Sequence, residues 1–157
     1  MKKDDWKTYA FWIVLCEAVG LIAGLLIRDS VEIYAQTIHK PPLSPPAILF
    51  PIVWTILYAL MGISAARIRL TPISPQQRKA TNLFIAQLTM NFFWPLFFFN
   101  LQAFGFSLLW LILLLALVAL LTFHSFKLDK LAGWLLIPYL AWLIFAIYLN
   151  AGVWVLN

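Results

Sequence analysis

Between Tyr34 and Tyr58 the chain reads YAQTIHKPPLSPPAILFPIVWTILY, a polar, proline-dense segment that feeds into an apolar run carrying Phe50, Pro51, Trp54 and Tyr58. Rings four residues apart share one face of a helix. A second such stripe runs through Trp134, Pro138, Trp142, Ala146 and Asn150, and a polar one through Gln87, Asn91 and Trp94 or Pro95. Flat indole faces with an N–H at the edge suit a planar aromatic ligand; they equally suit a dry core of packed tryptophan, and both readings stay open. Asn91 either bonds a neighbouring helix or offers a hydrogen bond to a ligand. The chemistry on view is recognition rather than bond-making, because no nucleophile stands beside a base and no glycine loop is built to cradle phosphate. His39 and His124 each lack a second His, Cys or carboxylate at ligand spacing, so no metal site is expected.

The elements that must position these residues follow from composition. The 157 residues are 64% hydrophobic and 11% charged, outside the range of soluble domains. A helical span needs about 20 mostly apolar residues. Five stretches meet that length: roughly Trp6 to Ile27, Ala47 to Ala66, Ala80 to Leu101, Ala103 to Ser125 and Leu131 to Val153. They use nearly the whole chain, which reads as one all-α membrane domain over residues 1–157. The first span is read as a mature helix rather than a signal peptide, since Glu17 interrupts it and no small-residue cleavage pattern precedes Arg28.

Local signals refine the connections. Pro41, Pro42, Pro45 and Pro46 make a stiff extended strap able to act as a lid, and Ser44 is expected to cap the second span. Ser30 is expected to cap a short interfacial helix with Val31, Tyr34, Ala35 and Ile38 on one face. Ser74 with Gln77 reads as a capping box opening the third span, and Asp129 caps the fifth. The short connection from Asn100 to Ala103 makes spans three and four an antiparallel hairpin. Span four is leucine-rich and reads as lipid-facing scaffold. In span one, Gly20 and Gly24 form a small-xxx-small pair for close helix approach. Glu17, one turn before them, is either a functional carboxyl or a protonated partner of a neighbouring helix. Cys16 reads as an inert packing residue.

Charge sets the orientation. Lys2, Lys3, Lys7, Arg67, Arg69, Arg78, Lys79, Lys127 and Lys130 fall on one side of five spans, against Arg28 and Lys40 on the other. Positive-inside bias puts the amino terminus in the cytoplasm and the carboxyl terminus and strap outside. The net charge of +5 is thus a topology signal, and no nucleic-acid partner is expected. Counting about 1.5 Å per residue from the outer ends of their spans, Trp54, Asn91 and Trp142 lie roughly 12, 15 and 16 Å deep, within a helical turn of one another. They are therefore expected to converge.

These residues also resemble a family. The KPPLSPP segment, the F-P-x-x-W-x-x-L-Y run from Phe50 to Tyr58, QLTMNFFWPLFF in span three, and WLLIPYLAW with IYLNAGVWVLN at the end are similar to the TspO/MBR family, the tryptophan-rich sensory proteins and translocator proteins. The resemblance covers nearly the whole chain. It implies a five-helix bundle, commonly a homodimer, with a pocket between spans one, two, three and five that binds porphyrins such as protoporphyrin and haem. It further implies ligand contacts at Pro45, Phe50, Trp54, Tyr58, Asn91, Trp94, Trp142 and Ala146. For association, span three offers a stripe of Ala80, Leu83, Ala86, Gln87 and Met90. No cofactor is required; porphyrin is the ligand. The leading function is a receptor or transporter-like binder. The alternatives are light-dependent porphyrin degradation through Trp54 and Trp142, or a structural, partner-binding membrane protein. The family usually has tryptophan where this chain has Leu43, and its sterol-recognition pattern is replaced here by a stretch with Ala151 and Val155.

Overall fold

The structure is a computed structural model describing residues 5–157; Lys2 and Lys3, counted in the charge argument, lie outside the described residues. Five helices carry the fold: α1 (Asp5–Thr37), α2 (Leu49–Leu70), α3 (Pro75–Pro95), α4 (Phe104–Leu128) and α5 (Lys130–Leu156). All five, α3 with the turn that follows it, are long and apolar enough to cross a bilayer.

The first-loop helix is present, but as the last turns of α1 rather than as a separate element. Ser30 is interior to that helix and caps nothing. Neither glycine nor proline separates Leu25 from Thr37, so nothing stops propagation. At about 1.5 Å per residue, 33 residues reach about 50 Å, well past a hydrocarbon core of about 30 Å. Tyr34 anchors the overhang, its ring 5.1 Å from Phe99 and 5.5 Å from Phe98.

Helix α1 packs on α2 through close backbone approach. A Cβ on Gly62 would meet Ile13 Cα at 2.5 Å, and one on Gly20 would enter the Tyr58 ring. Gly24 faces open space, so half of the expected glycine pair makes the contact and Gly62 supplies the rest. Cys16 is fully buried in this seam.

Ser74 caps α3 by accepting from the Gln77 amide at 3.1 Å, but the capping box is only half closed. The Gln77 side chain turns away to donate to the Arg69 and Thr71 carbonyls, tying α3 to the end of α2. Pro95 has no N–H for the Asn91 carbonyl, and the chain leaves α3 through a wider π-helical turn, Leu96–Asn100. There Asn100 donates to the Leu26 carbonyl of α1 at 3.2 Å.

The α3–α4 hairpin forms as expected, with Trp110 Nε1 donating to the Met90 carbonyl at 2.8 Å. Helix α4 is more than scaffold. Ser107, Leu111, Leu114, Val118, Leu121 and Ser125, at helical spacing, are buried against the bundle, while Leu109, Leu113, Leu120 and Phe123 face out. Asp129 caps α5, accepting from the Ala132 amide at 2.8 Å. It also binds Arg67 of α2 through two hydrogen bonds of 2.9 and 2.7 Å. That guanidinium holds the Asp129 carboxyl below the ordinary aspartate range.

Candidate functional site

The strap runs over the carboxyl-terminal end of α5. Pro41 is buried against Gly152, where a Cβ would collide with the proline ring. Tyr148 donates to the Pro42 carbonyl at 2.7 Å, and Asn157 both accepts from the His39 amide and donates to its carbonyl, each at 2.9 Å. Ser44 does not cap α2. Its hydroxyl donates to the Pro41 carbonyl at 2.7 Å, closing a local turn, and α2 starts at Leu49 with no side-chain cap. Within that turn Leu43 holds φ 65°, a left-handed conformation that disfavours a branched side chain, and it points outward at 82% exposure. Pro45 is half-buried beside it.

Beneath the strap the deep aromatic residues meet. Trp54 and Trp142 pack edge to face with centroids 6.4 Å apart, Phe50 lies 5.9 Å from Trp142, and Trp54 lies 5.5 Å from Tyr58. Trp54 and Trp142 are half-buried. Asn91 is linked to this cluster through hydrogen bonds: its amide oxygen accepts from Tyr58, and its NH₂ donates to Tyr139 at 2.7 Å. This Tyr58–Asn91–Tyr139 set is buried and links α2, α3 and α5. A buried amide satisfied by two phenols fixes the helices' relative depth, because slippage strands polar groups in a dry interior.

Trp94 belongs to a second polar node nearer the carboxyl-terminal end of α5. Its Nε1 donates to Asn150 Oδ1 at 3.2 Å, Ser107 donates to the same oxygen at 3.1 Å, and Asn150 donates to the Phe104 carbonyl at 2.8 Å. Ala146 is buried one turn before Asn150.

The α5 stripe does not keep to one face. Steps of four residues advance roughly 40° beyond a full turn, so the stripe winds around the helix. Trp134 is consequently 63% exposed, Trp142 half-buried and Asn150 only 1% exposed. Of the α3 stripe expected to serve association, Ala80 and Gln87 are fully buried in the chain's own core, whereas Leu83 and Met90 are half-buried and Ala86 is exposed. Sequence reasoning missed Tyr139, Ser107 and Arg67 as structural partners. Tyr139 was legible, standing three residues before Trp142 and hence on a shared face.

Two grooves open on the bundle's flanks. One of about 440 Å³ lies between α2 and α5, lined by Val53, Ile56, Leu57, Pro138, Ala141, Trp142 and Phe145. The other, about 450 Å³, lies between α1 and α3, along Trp12, Leu15, Val19, Leu88 and Phe92. Trp142 thus has one side on the α2–α5 groove and one on Trp54. Among the described residues no group of three His, Cys, Asp or Glu side chains is placed to hold a metal.

The chain as a whole is similar to known proteins. The TspO/MBR family model matches residues 12–155. A tryptophan-rich protein TspO of Chlorobaculum tepidum is 36% identical over 151 residues, 96% of each chain. The tryptophan-rich sensory protein of Cereibacter sphaeroides is 32% identical, over 98% of this chain and 93% of its own. The human translocator protein is 34% identical, over 92% and 88%. Five bilayer-length helices and a match across nearly the full chain make this an integral multi-pass membrane protein that belongs to the TspO/MBR family.

Proposed function

We propose that this protein is a membrane receptor or transporter-like binder of porphyrins, taking the ligand between α1, α2, α3 and α5. The observation that carries the reading is the Trp54–Trp142 contact, two indoles from different helices meeting under a proline strap. Phe50 and Ala146 extend this wall, and Asn91 with its two tyrosine partners supplies the polar groups beside it. A tetrapyrrole gains apolar burial there, with aromatic contact adding about 0.5–1.5 kcal/mol. Admission requires helices to part, and the α2–α5 seam, already grooved and carrying Pro138 within the continuous α5, is the natural place. A homodimer remains part of this proposal on family grounds; a monomer throughout in lipid nanodiscs overturns that part.

Protoporphyrin titration followed by tryptophan fluorescence tests the reading, with detergent partition controlled by an unrelated tryptophan-containing membrane protein. Trp54→Ala and Trp142→Ala are expected to weaken saturable binding while helical content persists. Retained affinity in both variants overturns it.

A second reading is favoured by the cluster of oxidisable rings around Trp54, which touches Tyr58, Tyr139 and Trp142. In it the protein degrades protoporphyrin in the light. A new absorbance species on illumination, lost in Trp54→Phe or Trp142→Phe, supports this reading; quenching without new absorbance returns the protein to a binder.

A further inference from the structure

The end of the bundle where α2 finishes and α3 begins collects most of the cations. Arg69, Arg78, Lys79, Lys127 and Lys130 are exposed there, and among the described residues none is paired with an acid. The nearby Asp129 carboxylate is already taken by Arg67. At the opposite end, Arg28 and Lys40 are balanced by Asp29 and Glu32.

Two of these cations, Lys79 and Lys127, stand near the ends of the hairpin helices α3 and α4. Lys127 holds Nζ 4.1 Å from the centroid of the Phe123 ring, which is 55% exposed. Leu113, Leu120, Phe123 and Lys127 follow one another at helical spacing along the outer face of α4, so the ammonium ends an apolar track that faces lipid. Lys79 is exposed on α3 one turn after Gln76. Gln76 and His124 are hydrogen-bonded between α3 and α4 at 2.7 Å, and Lys127 follows His124 by three residues, so the two lysines flank this contact along one seam.

We propose that this α3–α4 flank binds an anionic phospholipid, its phosphodiester held between Lys79 and Lys127 and an acyl chain laid along Phe123 and Leu120. Two ammonium groups attract any phosphate. The apolar track directly below them selects a glycerophospholipid over a soluble anion, because only a lipid has a chain to bury there. Orientation in the membrane does not enter: the cations and the track share one end of α4 whichever way the chain inserts.

The test uses the full chain in nanodiscs of mixed phosphatidylglycerol and phosphatidylcholine, followed by native mass spectrometry of the lipids retained on release. Phosphatidylglycerol is expected to be retained in preference. Lys79→Gln with Lys127→Gln is expected to erode that preference by about fivefold per charge removed, while Arg28→Gln at the far end leaves it intact. All three side chains are exposed, and unchanged helical content confirms that the variants fold. Phe123→Ser, which keeps both cations, separates the two sources of phosphate. Weakened phosphatidylglycerol retention in that variant supports the lipid. Unchanged retention, or displacement of the lipid by inorganic phosphate alone, assigns the cations to a free anion and overturns the proposal. A double variant with undiminished preference overturns the site itself.

Discussion

The Arg67 guanidinium at the end of α2 grips the Asp129 carboxylate at the start of α5 through two parallel hydrogen bonds, and the same carboxylate caps α5. One side chain therefore ties a helix–helix seam and closes a helix end. Because Arg67 holds the Asp129 pKa below its unfolded value, near 3.9 for an ordinary aspartate, the carboxylate's stabilisation is complete above about pH 4 and fades as pH falls through the folded pKa. Asp129→Asn keeps a capping oxygen and is expected to lose about 1 kcal/mol at neutral pH; Asp129→Ala loses the cap too, for about 2 kcal/mol. Thermal unfolding in detergent against pH checks this, and the Asn variant should lack Asp129's share of the acid limb.

Gly62 lets α1 and α2 touch backbone to backbone, with Ile13 where a side chain would stand. Gly62→Val must push the helices apart around the fully buried Cys16 and Met61. Overpacking of this kind costs about 1–3 kcal/mol. The expected readout is a lower unfolding midpoint together with faster labelling of Cys16 by a membrane-permeant thiol reagent. Gly24→Val, where a Cβ meets nothing, should leave both unchanged.

The strap is held by the carboxyl-terminal end of α5. Removing the Asn157 and Tyr148 bonds together, in Asn157→Ala with Tyr148→Phe, should speed amide exchange at His39, Lys40, Leu43 and Ser44 by about tenfold or more. Hydrogen-exchange mass spectrometry over the strap reads this directly. Unchanged exchange would mean that Pro41 against Gly152 holds the strap unaided.

The distribution of cations predicts an orientation. A reporter fused after Asn157 should read as external and one placed in the 70–77 connection as cytoplasmic. The opposite pair of signals reverses the assigned topology.

Length, apolar content and local chemistry were enough to determine the five spans, the α3–α4 hairpin and the caps at Ser74 and Asp129, because each depends on residues close in sequence. The deep Trp54–Trp142 pairing was also legible, since rise per residue places both at one depth. Partnership across helices was not. Nothing local told Arg67 from the other topology cations, or showed that Asn91 would be shared by Tyr58 and Tyr139. Ser44 and Ser30 read as caps, but a proline turn claimed one hydroxyl and an uninterrupted helix passed through the other. The every-fourth stripe on α5 looked like a single face, yet its winding carries Trp134 to the outer surface and Asn150 into the core. Which side of a helix is inside depends on its neighbours, and a helix that is apolar all round carries no record of them.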